Sequence, residues 1–297
     1  MLFRSTGLST TQIADLTTSE IAALTSTQAA SLAATQIGAL ASTQFAALSN
    51  TALGALTATE AAALSTTLLS ALATTRIDAL GTTAISGLSA DQVAALSATT
   101  LASLTSTQFG AISSSAVSGL TTTALAALST TEMRGMTATQ LRSMSAAQLG
   151  AIDATHLAAL TATQLVGLTT DQIPALSTTQ IAALTTTQVA GLSIMALSGL
   201  TETQVAAMST SQIASLTSTQ VTNLAASQIG ALTTAQIAAF TTTEVAGLTA
   251  LQLGELTTTQ FSALTTTSLA SLTQAQIVGM SADQIALLDG RSEEHTS

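Results

Sequence analysis

Catalysis and ligation need side chains that titrate, coordinate or attack, and this chain has few of them. His156 is the one histidine before the final three residues. Lysine is absent, and the arginines in the body of the chain are Arg76, Arg134 and Arg142. Arg134 and Arg142 lie eight residues apart, with Glu132 and Asp153 near them in sequence. That grouping reads as a surface ion-pair cluster, with an anion or partner site as the alternative. Arg76 and Asp78 read as a solvated pair, and His156 as a solvated or capping side chain rather than a base or metal ligand. No DxDxDG calcium loop, HExxH, GxSxG or glycine-rich phosphate loop is present. Serine is abundant, but a nucleophile needs a base and a convergent pocket, and no second histidine lies near enough to supply one. No catalytic, cofactor-binding or metal-ligating residue is nominated, no cofactor is expected, and an enzyme is not.

Composition narrows the classes further. Apolar residues make up 47% of the chain, aromatics 2% and charged residues 7%, with a net charge of −10 and no cysteine. So dilute an acidic field disfavours nucleic acid, which requires clustered Lys and Arg. Disordered chains are poor in apolar residues and rich in charge, the opposite of this one. Disulfides and thiolate metal sites are excluded. No apolar run reaches the ~18 residues of a membrane-spanning helix.

These side chains must be positioned by a tandem repeat. From Leu8 to Met280 an apolar residue recurs every eight positions, giving 35 copies without insertion or deletion. Position 1 is Leu in 28 of them, the exceptions being Ile112, Met136, Met144, Ile152, Met208, Phe240 and Met280. Position 6 is apolar throughout, although Ala29 and Ala61 are small. Position 2 is Ser, Thr or Asp in 30 copies and position 5 is Gln or Glu in 25.

Ser/Thr followed three residues later by Gln/Glu is a capping box. The hydroxyl accepts from the N3 backbone N–H, and the N3 side chain reaches back to the N-cap N–H. Positions 1 and 6 then fall at N′ and N4, where apolar residues form a hydrophobic staple. Acids such as Glu20, Asp91, Asp171 and Asp283 sit in the first turn, where the helix dipole favours them. Of the 15 glycines inside the array, 14 occupy position 7 or 8, where glycine is expected to supply a left-handed helix stop. Pro174 shares that location. Eleven of the 14 lie in even-numbered copies, a hint that octads associate as helix pairs.

Two other conformations meet the same pattern less well. A continuous helix would turn the Leu stripe by about 80° per octad, so no buried face would persist. A β-solenoid suits Thr, Ile and Val and is the alternative, but it would point positions 1 and 6 to opposite faces and leaves the Thr–Gln spacing unexplained. The expected fold is all-α: a solenoid of about 35 very short capped helices, one per 8-residue repeat, with positions 1 and 6 forming a thin continuous core. A single octad buries too little to offset its ordering, so stability must come from stacked neighbours.

Both ends read as foreign to the array. Arg291-Ser292-Glu293-Glu294-His295-Thr296-Ser297 matches the translation of a short-read sequencing adapter. The reverse complement of that oligonucleotide, entered at a GTG start codon, gives Met1-Leu2-Phe3-Arg4-Ser5. The expected organisation is adapter translation at 1–5 and 291–297, with the octapeptide array, from Leu8 to Leu287, inside 6–290. The natural protein is expected to continue past both ends.

The unit Leu-Thr-Thr-Thr-Gln-Ile-Ala-Ala, near-perfect twice between Leu176 and Gly191, is similar to Thr/Gln-rich octapeptide tracts of very large bacterial surface or secreted repeat proteins. The resemblance implies a non-catalytic scaffold or stalk, adhesin-like and extracellular or at the cell surface. The alternative is a binding module that uses the Thr-rich face against ice, a glycan or a protein. The partner is unknown; a protein or cell-surface ligand fits, whereas nucleic acid does not.

Overall fold

Each octad folds on its own local signals. In a computed structural model, which describes residues 7–294, 33 α-helices and two 3-10 turns follow one another, one for each of the 35 octads. No strand occurs among the described residues, so the β-solenoid alternative falls and the all-α solenoid stands. The segments read as adapter translation lie outside the described residues at 1–5 and 295–297. The backbone of 291–294 continues the last helix, Ala282–Glu294.

A typical helix is Thr186–Ala190. Its N-cap Thr185 is extended at φ −72°, ψ 158°, and the capping box with Gln188 is complete. The helix closes when the position 1 N–H turns back three residues to the position 6 carbonyl, Leu192 N–H donating to Val189 O at 3.1 Å. The next residue is again an extended N-cap. Leu184 and Val189, the N′ and N4 pair, are both buried, as the staple requires.

The left-handed glycine stop does not occur. No described residue, glycine included, has a positive φ, and the helices end in right-handed or extended caps. The three-residue closing bond already satisfies the helix end, so no Schellman turn is needed. Where position 8 is glycine, the close approach of another backbone is the reason instead. A Cβ on Gly119 would stand 2.0 Å from the Ala90 carbonyl oxygen, and one on Gly87 would stand 2.1 Å from that of Ala58. In both cases the obstructing residue lies 29 positions earlier, at the first turn of another helix.

Pro174 explains one of the two 3-10 turns. It has no N–H to donate to Thr170 O, so its octad tightens to Ile173–Ala175 with three-residue bonds. Nothing in the structure explains the other, Val117–Gly119.

The octads form two compact units, Met1–Ala159 and Leu160–Ser297, each a coil of short helices. Within each, a helix packs against the helix three octads further on, as Ser106–Ala111 does on Thr130–Gly135 and Ser218–Thr222 on Thr242–Gly247. The hint of adjacent helix pairs is therefore not met. In each unit the position 1 and position 6 side chains form the core, with Phe45, Phe109 and Phe261 among its largest fully buried members. The core thins only where a turn has a neighbour on one side. Leu8, Leu16 and Leu24 are half-buried, and Ile277 and Ile285 are exposed.

Candidate functional site

The polar residues of the array converge on one recurring arrangement, built around position 5. In the octad beginning at Leu248, Gln252 Oε1 accepts the Thr249 N–H at 2.7 Å, and Gln252 N–H donates to Thr249 Oγ1 at 3.1 Å. The capping box is thereby complete. The other end of the amide faces the neighbouring turn. Nε2 donates to Leu224 O at 2.7 Å and Val221 O at 2.8 Å, both at the C-terminal end of the helix Ser218–Thr222. One side chain therefore closes the N-terminus of its own helix and the C-terminus of a helix 28 to 31 residues earlier.

The same bonds recur throughout. Gln44 reaches Leu16 O at 2.6 Å and Ile13 O at 3.1 Å, and Gln92 reaches Leu64 O at 2.6 Å and Ala61 O at 2.8 Å. Gln140, Gln212, Gln236 and Gln284 bond 28 and 31 residues back in the same way. A separation of 28 residues is three and a half octads, which sets the length of one turn of the coil. Where position 2 is alanine the hydroxyl half of the box is lost but the glutamine half remains. Ala33 N–H donates to Gln36 Oε1 at 2.6 Å, and Gln36 Nε2 still reaches Leu8 O at 2.6 Å.

This second contact was missed by sequence reasoning, which assigned position 5 to capping alone. One signal did point to it. Of the 25 Gln/Glu residues at position 5, only Glu20, Glu60, Glu132 and Glu244 are acids. A cap needs an acceptor, and near a helix N-terminus a carboxylate is the better one. A preference for the amide means that a donor is also required.

Arg76, also at position 5, meets that requirement by another route. Its guanidinium donates to Leu48 O, 28 residues earlier, and to Asn50 Oδ1. The expected solvated pair with Asp78 is therefore replaced by an inter-turn bond. Ser268 does the same with a hydroxyl, donating to Phe240 O at 3.3 Å.

His156 is capped by Asp153 rather than capping its helix itself. Its N–H donates to Asp153 Oδ1 at 2.8 Å, and its ring Nδ1 lies 2.9 Å from Asp153 Oδ2. The ring Nδ1 is buried and makes no hydrogen bond. The His156 side chain is 14% exposed, so it is more buried than the solvated reading expected. The His156 N–H, chiefly, holds the Asp153 carboxyl below its ordinary range. Arg134 and Arg142 are exposed, whereas Glu132 is buried, its Oε2 accepting the Ser129 N–H at 2.7 Å. Glu132 therefore belongs to the cap of its own helix.

No group of three or more His, Cys, Asp or Glu that could hold a metal occurs among the described residues. The shallow hollow lined by Ser198, Thr201, Glu202 and Gln228 contains no paired base and nucleophile. No described helix is long and apolar enough to cross a membrane.

A family model described as the ALTTAQ repeat matches residues 162–194 and 229–266. The hexapeptide itself stands at Ala231-Leu232-Thr233-Thr234-Ala235-Gln236, spanning positions 8 to 5 and ending on the amide that joins two turns. No curated protein and no solved structure matches the chain.

Proposed function

We propose that this array is a passive scaffold or stalk in a larger, adhesin-like bacterial protein exposed at the cell surface or secreted. The observation that carries the proposal is the use of position 5. The buried glutamines, the most regular chemical feature of the chain, turn both ends of their amides to backbone of the coil itself. A side chain so engaged is not available to a substrate, and its repetition ties successive turns in one register. Such an array adds length per octad with little change in local stability, because each repeat depends only on its neighbours. Absence of disulfides suits it to either side of an exporting membrane, and the surface location rests on the resemblance to bacterial octapeptide tracts.

Small-angle scattering on chains of 14, 21, 28 and 35 octads tests the scaffold reading. A maximum dimension that grows linearly with octad number supports it. A dimension that levels off, as for a globule, overturns it.

The alternative, a Thr-rich binding face, draws on the exposed position 4 threonines such as Thr179, Thr187 and Thr203. Two features count against it. Position 2 hydroxyls such as those of Thr185 and Thr249 are engaged in caps. Three and a half octads per turn also stagger position 4 around the coil rather than aligning it on one flat face. An ice-recrystallisation assay in which the purified array arrests crystal growth would favour the alternative.

A further inference from the structure

Two of the position 5 acids stand where the neighbouring turn requires a donor. Glu60 and Glu244 are 3% and 0% exposed. In each, one carboxyl oxygen serves the cap: Glu60 Oε2 accepts from Thr57 N–H at 2.6 Å and from Thr57 Oγ1 at 2.7 Å, and Glu244 Oε2 accepts from the same groups of Thr241 at 2.6 and 2.7 Å. The other oxygen, Oε1, is buried in both and has no hydrogen-bond partner. The octads on either side of Glu244 define what faces it. Gln236 and Gln252 donate to the carbonyls of Met208 and Leu224, each 28 residues back. The same register sets Glu244 against the Leu216 carbonyl and Glu60 against that of Leu32. A carboxylate oxygen cannot donate, and an ionised carboxylate opposed to a carbonyl in a dry interior is strongly disfavoured.

No nearby charge relieves this. The helices around Glu244, namely Thr210–Ile213, Ser218–Thr222 and Thr266–Ala270, contain no acid, base or histidine. Around Glu60, the helices Ser26–Ala29, Ala34–Gly38 and Thr82–Ser86 contain none, and Ala90–Ala95, whose Gln92 donates to Ala61 O, contains one acid, the exposed Asp91. The adjacent position 5 residues are Ala52 and Leu68 in one case and Gln236 and Gln252 in the other. Glu20 provides the contrast. It lies in the first described turn and is exposed, and bonds from Thr17 pull its carboxyl below the ordinary range. Glu132 is buried, but neither of its oxygens is both sealed and unpartnered.

We propose that Glu244 is held in the coil as a neutral carboxylic acid, its Oε1–H donating to the Leu216 carbonyl 28 residues earlier, and so acts as a proton-dependent latch between turns. When the O–H bond breaks, the proton passes to water and the turn loses its only donor at that octad. Burial pushes the Glu244 carboxyl above its ordinary value of 4.5, outweighing the two bonds from Thr241 that lower it. A carboxyl that keeps its proton to higher pH when folded stabilises the fold fully below the ordinary glutamate range. That stabilisation is lost as pH rises through the raised value. The array would thus be tighter in acid and looser at the Glu244 turn in neutral solution.

The test compares the full chain with Glu244→Gln, which restores the residue most common at position 5. Amide exchange is followed in Thr210–Ile213 and Thr242–Gly247 between about pH 5 and pH 8. In the parent chain, opening of these helices relative to Glu244→Gln should grow with pH, by up to about tenfold per pH unit across the window in which the folded carboxyl is protonated and the unfolded one is not. Equal exchange in the parent and Glu244→Gln at every pH would overturn the proposal. A carboxyl 13C titration of the parent chain gives an independent reading. A Glu244 resonance that titrates above 4.5 supports the latch, and one at or below it overturns it.

Discussion

Gln252 and Leu224 are joined across one turn of the coil by a 2.7 Å hydrogen bond from side-chain amide to backbone carbonyl, while the same amide closes the capping box of Thr249. Local helix formation and long-range stacking therefore depend on one side chain. This is why an octad too short to be stable by itself can be stable in an array.

Replacing that amide by a carboxylate should separate the two roles. Gln252→Glu keeps the acceptor that caps its own helix but leaves Leu224 O without its donor, whereas Val221 O still accepts the Leu224 N–H. Burying unsatisfied groups costs about 1–3 kcal/mol each, so at neutral pH the denaturation midpoint should fall markedly. Gln12→Glu is the control. Gln12 lies in the first described turn and is exposed, with its Oε1 accepting the Ser9 N–H. Its substitution should change stability by less than about 0.5 kcal/mol, as at other surface sites. Equal losses at the two positions would show that capping, not the bond between turns, governs position 5.

The difference between these two glutamines marks what the amino-acid sequence made legible. Ser9, Gln12 and Ile13 lie within five residues, so cap, N3 residue and staple could be read from spacing alone. The two core positions followed from the same spacing. The number of octads per turn could not be read, because it depends on how the extended N-cap and the three-residue helix closure tilt one helix against the next. A period of eight is compatible with many such tilts. Without the turn length, the partner of Gln252 could not be placed 28 residues away, nor Arg76 matched to Leu48. The glycines misled for a related reason. A glycine beside a helix end suggests a local left-handed stop, whereas the cause here is a backbone 29 residues away.

Glycine substitutions should accordingly divide by the space at each site. Gly119→Ala would set a Cβ 2.0 Å from the Ala90 carbonyl oxygen, a backbone atom that no rotamer change can move. A loss of more than about 1–3 kcal/mol is expected, the range for overpacking. Gly230→Ala meets nothing nearer than 3.8 Å and lies within the helix Ala226–Gly230. It should be neutral or stabilising by about 0.5–1 kcal/mol through helix propensity. Chemical denaturation of the two variants decides the matter, and a stabilised Gly119→Ala would refute the close-approach explanation.

Core truncation should be costly at position 6, where the largest side chains are sealed. Phe261 is fully buried, and Phe261→Ala is expected to cost about 3–5 kcal/mol. Ile285→Ala, at the same octad position but 42% exposed, should cost a small fraction of that. Thermal or denaturant unfolding of each would show whether burial rather than octad position sets the loss; comparable losses would mean that the last turn is covered in solution.

Asp153 gives a pH dependence opposite in sign to that of Glu244. Its carboxyl accepts the His156 N–H at 2.8 Å, and that bond, with the nearby imidazole, holds it below its ordinary value of 3.8. A carboxyl that releases its proton more readily when folded adds stability above the ordinary aspartate range. That contribution disappears as pH falls through the lowered value. Asp153→Ala removes an N-cap and should cost about 1 kcal/mol at neutral pH, whereas Asp153→Ser should recover most of the loss, since serine caps equally well. In acid, below that lowered value, the parent should lose its margin over Asp153→Ala, whereas Asp153→Ser, whose hydroxyl does not titrate, should keep its own. If Asp153→Ala remained less stable than the parent by the same margin at that pH, the contribution would lie in packing around the cap rather than in the charged acceptor.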